Sequence, residues 1–444
     1  MSETKAKPEA ERLGRRDFLR RTAMASAVAA APMIIPATAL GKGGRPAPSN
    51  RITMGCIGVG SQGTGNMQGF LKNPAAQIVA VCDLDRDHRD NAANIVNNVY
   101  SDTGCKAYHD FRELLERKDL DAVALALPDH WHSIPSIAAA RKGLDIYGEK
   151  PLALTINEGK AIVDAVQSNN IVWQTGSWQR SQAHFLQAAE LVRNGMIGEI
   201  HTVKVGLPTG RPIETQKEEP IPDGFDYDFW LGPAPEAPYT KQRCHWNWRW
   251  ILDYSGGQLT DWIGHHGDIA NWGMGTEHTG PVAIEGKGIF PDDGLWNAAT
   301  SYLIECTFAP GASPVAPKGF KMILSNLFPM GTRFEGEKGM VFCDRGNRLT
   351  TEPANLATHQ FGPNDTRLKK SDNHAQDFFT CVRSRELTVA PVVPAYRAIS
   401  LGLLANIAMQ LERKIVWDPT AEIFPNDDEA NRKLQRAMRS PWHI

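Results

Sequence analysis

The stretch Arg51-Ile52-Thr53-Met54-Gly55-Cys56-Ile57-Gly58-Val59-Gly60-Ser61-Gln62-Gly63 decides the fold. Its first seven residues read as a buried strand, and the glycines after them are spaced G-x-G-x-x-G. Gly58 permits the tight turn, Gly60 lets backbone approach a pyrophosphate, and Gly63 lets the next helix pack on the strand with the phosphate at its N-terminus. Ser61 and Gln62 sit within the same loop and join the three glycines as candidate cofactor-binding residues. The surroundings agree with this reading. An apolar strand precedes the loop, a helical run follows it, and Asp83 closes the next strand 20 residues after the third glycine. An acidic residue there accepts hydrogen bonds from an adenosine ribose and repels a 2′-phosphate, which favours NAD over NADP. Arg86, close by, pulls the other way.

Outward from the loop, strand signals at 77–82, 121–127 and 145–148 alternate with amphipathic runs at 108–118 and 133–142. A further helical run at 155–168 leads to a strand at 171–175. Alternation of this kind predicts βαβ units around a parallel sheet, so the fold class is α/β. Ligands in such sheets bind outside the carboxyl ends of the strands. That places Pro128-Asp129-His130-Trp131-His132 beside a nicotinamide pocket, with Pro128 and His132 as its candidates; the rival reading is turn chemistry alone.

Next comes Tyr147-Gly148-Glu149-Lys150-Pro151, and with it the chain resembles the Gfo/Idh/MocA oxidoreductases through the Glu-Lys-Pro signature. The resemblance implies an N-terminal Rossmann dinucleotide-binding domain followed by an α+β domain with a large open mixed sheet. It puts Lys150 at the active site and Glu149 beside the cofactor. The loop Gly176-Ser177-Trp178-Gln179-Arg180 also resembles the family, and it makes Arg180 a contact to cofactor or substrate and Trp178 a substrate contact. On these grounds the chain divides into a Rossmann domain at 51–172, a second domain at 173–425 and a tail at 426–444 without an assigned role.

Residues 208–238 hold seven prolines. Proline cannot donate to a sheet ladder, so this is an elaborated loop that serves as a lid, a substrate wall or an oligomer-contact arm. In Cys244-His245-Trp246-Asn247-Trp248-Arg249-Trp250 three tryptophans alternate with polar residues. In an extended segment they share one face, which suits a sugar ring, and Trp248 and Arg249 are the substrate candidates; the rival reading is core. In Thr260-Asp261-Trp262-Ile263-Gly264-His265-His266-Gly267-Asp268, helical spacing puts Asp261, His265 and Asp268 on one face. An imidazole takes a proton near neutral pH, and a carboxylate one turn away orients it. The resemblance matches Asp261 and His265 to a helix facing the nicotinamide, with His266 and Asp268 as further substrate contacts. A metal site from this cluster is the less favoured reading.

The whole chain has 444 residues, 48 basic against 50 acidic, and a net charge of −2. Near-neutral charge offers no footprint for nucleic acid. Residues 1–40 hold seven basic and four acidic residues, including Arg15-Arg16-Asp17-Phe18-Leu19-Arg20 before an Ala-rich apolar run interrupted by Pro32 and Pro36. This resembles a twin-arginine export signal, removed before a linker at 41–50, and predicts a periplasmic protein with no membrane anchor in its mature form. Seven scattered cysteines suggest neither a zinc site nor a disulfide framework. The expected protein is an NAD(P)-dependent oxidoreductase of sugars, glycosides or polyols, homo-oligomeric through the second-domain sheet. In it Lys150 holds the substrate oxygen, His265 takes the proton and Asp261 orients the imidazole. The rival is a glycosidase that oxidises its sugar transiently.

Overall fold

The computed structural model describes Ala47 and residues 50–444. The basic start and apolar run at 1–40, with the export reading placed on them, lie outside the described residues.

The first sheet has six parallel strands, β1 (Ile52–Ile57), β2 (Ala76–Cys82), β3 (Lys106–Tyr108), β4 (Ala122–Leu125), β5 (Asp145–Gly148) and β6 (Trp173–Thr175), in the order β3-β2-β1-β4-β5-β6. Helices cover it, among them α1 (Ser61–Leu71), α2 (Arg86–Tyr100), α3 (Phe111–Leu115), α4 (Ser133–Arg141) and α5 (Ile156–Ser168). With both faces covered, the inner strands are continuous apolar runs; every residue of β4 and β5 is buried. Asp85 caps α2 and Thr155 caps α5 through their side chains, which fixes where those helices start. The helix expected at 108–118 shrinks to the five residues of α3, with Asp110 as its cap. The sheet also takes in β6, beyond the boundary drawn at residue 172.

After α6 (Ala183–Arg193), β7 (Ile200–Gly206) opens the second sheet. The chain then runs through α7 (Tyr227–Leu231), α8 (Gly257–Trp262), a π-helical turn at Ile263–Gly267 and α9 (Asp268–Met274) before it supplies β8 (Ala283–Ile289), β9 (Ser301–Phe308), β10 (Phe320–Ser325), β11 (Gly331–Gly336), β12 (Gly339–Cys343) and β13 (Leu349–Glu352). With β14 (Ile415–Val416) these make eight strands in the order β13-β12-β11-β7-β10-β9-β8-β14, antiparallel except at β7 and β10. In β9, Tyr302, Ile304, Cys306 and Phe308 point inward while Leu303 and Glu305 face out, the alternation expected of a sheet covered on one side. Its inner face packs on α6, α9 and α11 (Val392–Leu411). Helix α11 is long and apolar enough to cross a bilayer, yet 83% of its apolar window is buried inside the protein, where it serves as a core helix.

Three long-range returns complete the first sheet. Helix α10 (His374–Ser384) brings Phe378 and Phe379 against Tyr147 and Phe70. The proline-rich loop reaches the end of β2, where Phe225 bridges to Asp85 and the Arg86 N–H donates to the Gly224 carbonyl at 3.0 Å. The tail carries α12 (Asp428–Arg432) and then acts as a clasp: Arg436 pairs with Glu158 of α5 at 2.7 Å, and the Trp442 ring lies 4.7 Å from Trp131 and 5.2 Å from Phe229. All seven cysteines are buried and unpaired.

Glu158 is buried, and Arg436 is its charged partner. Arg436→Ala strands that carboxylate and should cost about 3 kcal/mol of stability. Scanning calorimetry should show a lower Tm; an unchanged Tm would mean the clasp carries no weight.

Candidate active site

A cavity of about 430 Å³ opens along the carboxyl ends of β1, β2 and β4, where Gly58, Gly60, Ser61, Gln62, Gly63, Asp83, Pro128, Glu149 and Lys150 meet. The glycines are there for steric reasons. Gly58 has φ +78°, and a Cβ on it would stand 2.3 Å from the Ala126 carbonyl oxygen; one on Gly63 would collide with the Gly58 carbonyl. A Cβ on Gly60 would meet nothing closer than 3.7 Å, and no side chain caps α1, so the helix N-terminus is left to an anion arriving through the cavity. Asp83 accepts the Val59 N–H at 2.8 Å and the Asp85 N–H at 3.0 Å, which holds its carboxylate at the end of β2. These residues fit a dinucleotide: open backbone at the pyrophosphate position and a carboxylate at the ribose position. Arg86 packs its guanidinium against Gly224 and does not line the cavity. The opposite wall comes from the proline-rich segment and its continuation, through Phe225, Phe229, Trp230, His245, Trp248 and Arg249. Of the described residues, Asp85, His88 and His245 bring ligand atoms within 4.8 Å of one another, but they sit on this cofactor wall and Asp85 is engaged as the cap of α2.

At the inner end, Lys150 Nζ donates to Asp261 Oδ1 at 2.8 Å, and Arg249 Nε lies 3.7 Å from the same oxygen. Burial alone would raise the Asp261 pKa, but the charges of Lys150 and Arg249 bring it below the usual carboxylate range. His265 is buried, and burial, Lys150 and Arg345 together keep its imidazole unprotonated. Arg345, from the turn after β12, donates from Nη2 to His265 Nε2 at 2.9 Å and from Nε to Gln179 Oε1 at 3.2 Å. Asp129 is pushed up to about 8, chiefly by burial, and accepts the Ser255 hydroxyl at 2.6 Å, which locks the 128–132 loop onto the approach to α8.

Asp261 bonds Lys150 rather than His265, so it orients the lysine. The π-turn breaks the helix between Asp261 and Asp268, and the extra residue per turn rotates Asp268 off the shared face. Asp268 instead forms a buried fork with Arg180 at 2.7 and 2.8 Å, and Arg180 also pairs with Glu277 at 2.8 Å. Arg180 and Asp268 are therefore committed to each other and are not among the residues that line the cavity. His266 is fully buried, with its carbonyl taken by Thr332. His132 lies beneath the loop, its ring nitrogens against the Leu127 and Pro151 carbonyls, and it positions that loop without lining the cavity. The tryptophan run is a short 3₁₀ turn rather than an extended stripe: Trp246 is exposed, Trp250 packs on Trp296, and Arg249 lies over the Trp246 and Trp248 rings at 4.2 and 4.4 Å. Trp178 supports Arg345 rather than lining the cavity. Arg345 was invisible in the sequence, since Asp344-Arg345-Gly346-Asn347 reads as an ordinary polar turn.

Residues 52–177 match a family model described as an oxidoreductase family NAD-binding Rossmann fold, and residues 186–444 match the C-terminal alpha/beta domain model of the same family. The chain is 29% identical over 170 residues to an uncharacterised oxidoreductase of Streptococcus pneumoniae, covering 38% of this chain but only 44% of that protein. It is 22% identical to the myo-inositol 2-dehydrogenase of Thermotoga maritima, covering 82% of this chain and 98% of that one. A glycosyl hydrolase family 109 protein of Shewanella pealeana is 30% identical over 34% of this chain and 33% of its own. Among solved structures, the WlbA dehydrogenase of Bordetella pertussis with NADH and UDP-GlcNAcA superposes with a TM-score of 0.60 at 17% identity, covering 83% of this chain and 99% of that one.

Asp83→Asn keeps the shape of the side chain and removes its charge. It should weaken NAD binding about tenfold and narrow the preference over NADP, as read by calorimetric titration of both dinucleotides. An unchanged NAD-to-NADP ratio would remove Asp83 from the ribose site.

Proposed function

The chain belongs to the Gfo/Idh/MocA oxidoreductase family, and from that premise we propose that it moves a hydride between a hydroxyl-bearing carbon of a sugar, glycoside or polyol and NAD. The observation that carries this reading is the Lys150–Asp261 bond, which fixes a cationic donor at the inner end of the cofactor cavity. The nicotinamide, when bound, supplies the hydride acceptor. Lys150 holds the substrate oxygen, and Asp261 keeps the ammonium aimed at it. As the carbon gives up its hydride, the proton on its oxygen passes to His265, whose buried imidazole starts unprotonated and accepts it at Nε2 once the Arg345 N–H moves aside.

The proposal extends to a tightly held cofactor. The wall from Phe225 to Arg249 closes the cavity, and the tail clasp holds Phe229 in place through Trp442. A retained cofactor suits a protein exported through its twin-arginine start, because free NAD is scarce outside the cytoplasm; a second substrate would then re-oxidise it. Homo-oligomerisation through the outer face of the eight-stranded sheet belongs to the same proposal, supported by exposed Leu303 and Ile289 on that face. The similarity to a glycosyl hydrolase family 109 protein favours one rival, in which oxidation is transient and a glycosidic bond is cleaved.

Denaturing the purified protein should release NAD, and sugars added to the native protein should raise the nicotinamide absorbance band. Lys150→Met should lower that reduction by about a thousandfold or more while leaving bound NAD in place, since it removes a positioned charged donor. Normal turnover in Lys150→Met would sink the assignment. Glycoside cleavage with no net reduction would select the rival.

A further inference from the structure

The side chains around Lys150 and Asp261 carry more positive charge than hydride transfer uses, an inference that rests on the oxidoreductase reading. We propose that the substrate carries a carboxylate, as a uronate or other acid sugar does, and that Arg345 receives it with Arg249 beside it.

Three cations surround two committed anions, Asp261 and Glu149. Asp261 feels Lys150, Arg249 and Arg345 together. Glu149 accepts from the neutral amides of Asn66 and Gln62 of α1, at 2.9 and 3.2 Å, and keeps a charge that Lys150 and Arg345 feel. The other carboxylates nearby are otherwise engaged. Asp344 pairs with Arg348 at 2.6 Å, and Asp268 and Glu277 belong to Arg180. Burial pushes Asp129 up to about 8, and its Oδ2 is taken by the Ser255 hydroxyl at 2.6 Å. Lys150, Arg249 and Arg345 therefore face two carboxylates, Asp261 and Glu149, and the site holds one guanidinium charge in excess.

Arg249 lines the cavity, and Arg345, held against His265 and Gln179, has the freer edge. Among the described residues Arg345 forms no ion pair with a carboxylate. Its Nε and Nη2 are engaged by Gln179 and His265, while Nη1 has no hydrogen-bond partner among the described residues. The guanidinium lies over the rings of Trp178 and Trp262, 4.6 and 4.7 Å from their centroids, so what it offers a ligand is its in-plane edge. Arg249 repeats the arrangement on the cavity wall: indoles lie against its flat surface, and its Nε is buried without a hydrogen bond. Half-buried guanidinium groups without carboxylate hydrogen bonds are costly, and an incoming anion offsets that cost. A planar fork backed by aromatic rings matches a planar carboxylate. The reacting oxygen does not need this excess, because Lys150 already serves it. A carboxylate on Arg345 also reduces a positive field acting on His265, which makes that imidazole a better proton acceptor.

The test uses the full-length protein with its bound cofactor. D-glucuronate and D-galacturonate are compared with D-glucose, D-galactose and D-glucose 6-phosphate by single-turnover reduction of the cofactor. Binding of D-glucuronate is read separately by tryptophan fluorescence in Lys150→Met. The uronates should react at least about tenfold faster than the neutral sugars. Arg345→Leu should collapse that ratio about tenfold and abolish D-glucuronate quenching, and Arg345→Lys should restore part of both. Circular dichroism confirms that each variant is folded. Equal rates for neutral sugars, a preference for the phosphate, or a ratio and quenching untouched by Arg345→Leu would each overturn the proposal. D-glucuronate binding that depends on Arg345, with no sugar reducing the cofactor, would uphold the carboxylate site and defeat the oxidoreductase reading. Neither binding nor reduction would overturn both.

Discussion

The bond between Lys150 and Asp261 joins the two halves of this protein at the point where their chemistry meets. Lys150 follows β5, the strand whose end bounds the cofactor cavity, and Asp261 sits on α8 of the second domain. Both side chains are largely withdrawn from water, so the pair is held by a field that solvent does not screen. Its stability depends on geometry rather than on charge alone, because two desolvated ions gain only when each is aimed well and otherwise hydrogen-bonded. Much of the surrounding structure supplies that aim. The backbone at Gly264 passes so close that an added Cβ would stand 3.2 Å from Lys150 Cβ, and the π-turn lets Asp261 face the lysine while Asp268 turns to Arg180.

A second layer of buried charge holds α9 and the loop at 176–182 in register. Arg180 binds Asp268 and Glu277, and Arg193 takes the other Glu277 oxygen at 2.7 Å. None of these groups reaches the cavity. Their work is to keep Gln179 and the π-turn where Arg345 and His265 can meet. The cofactor half is closed in the same spirit from far along the chain, by Phe225 at the end of β2 and by Arg436 and Trp442 of the tail.

Local physics made much of this legible in advance. G-x-G-x-x-G after an apolar run places Gly58, Gly60 and Gly63 because only glycine tolerates those approaches, and Asp83 follows at the spacing a βαβ unit imposes. Lys150 and Asp261 were visible through the family resemblance. The misassignments share one cause. Arg180, His266 and Asp268 carry side-chain types that suit a site, but burial and partners such as Asp268, 88 residues from Arg180, not residue type, decide whether a charged group faces a ligand or a counter-ion. His132 failed likewise, its ring being taken by two carbonyl groups that no local pattern reveals.

The sequence by itself determined the parallel sheet, the dinucleotide loop and the identity of the lysine, since period, glycine spacing and a short signature are written within tens of residues. Only the tertiary structure decided that Asp261 serves Lys150, that Arg345 enters the site from a plain turn, and that the tail clasps α5. Those outcomes depend on contacts between residues such as Glu158 and Arg436, or His265 and Arg345, far apart along the chain. Hydrogen bonding and desolvation act over a few ångströms of space, and distance along a chain carries no trace of them.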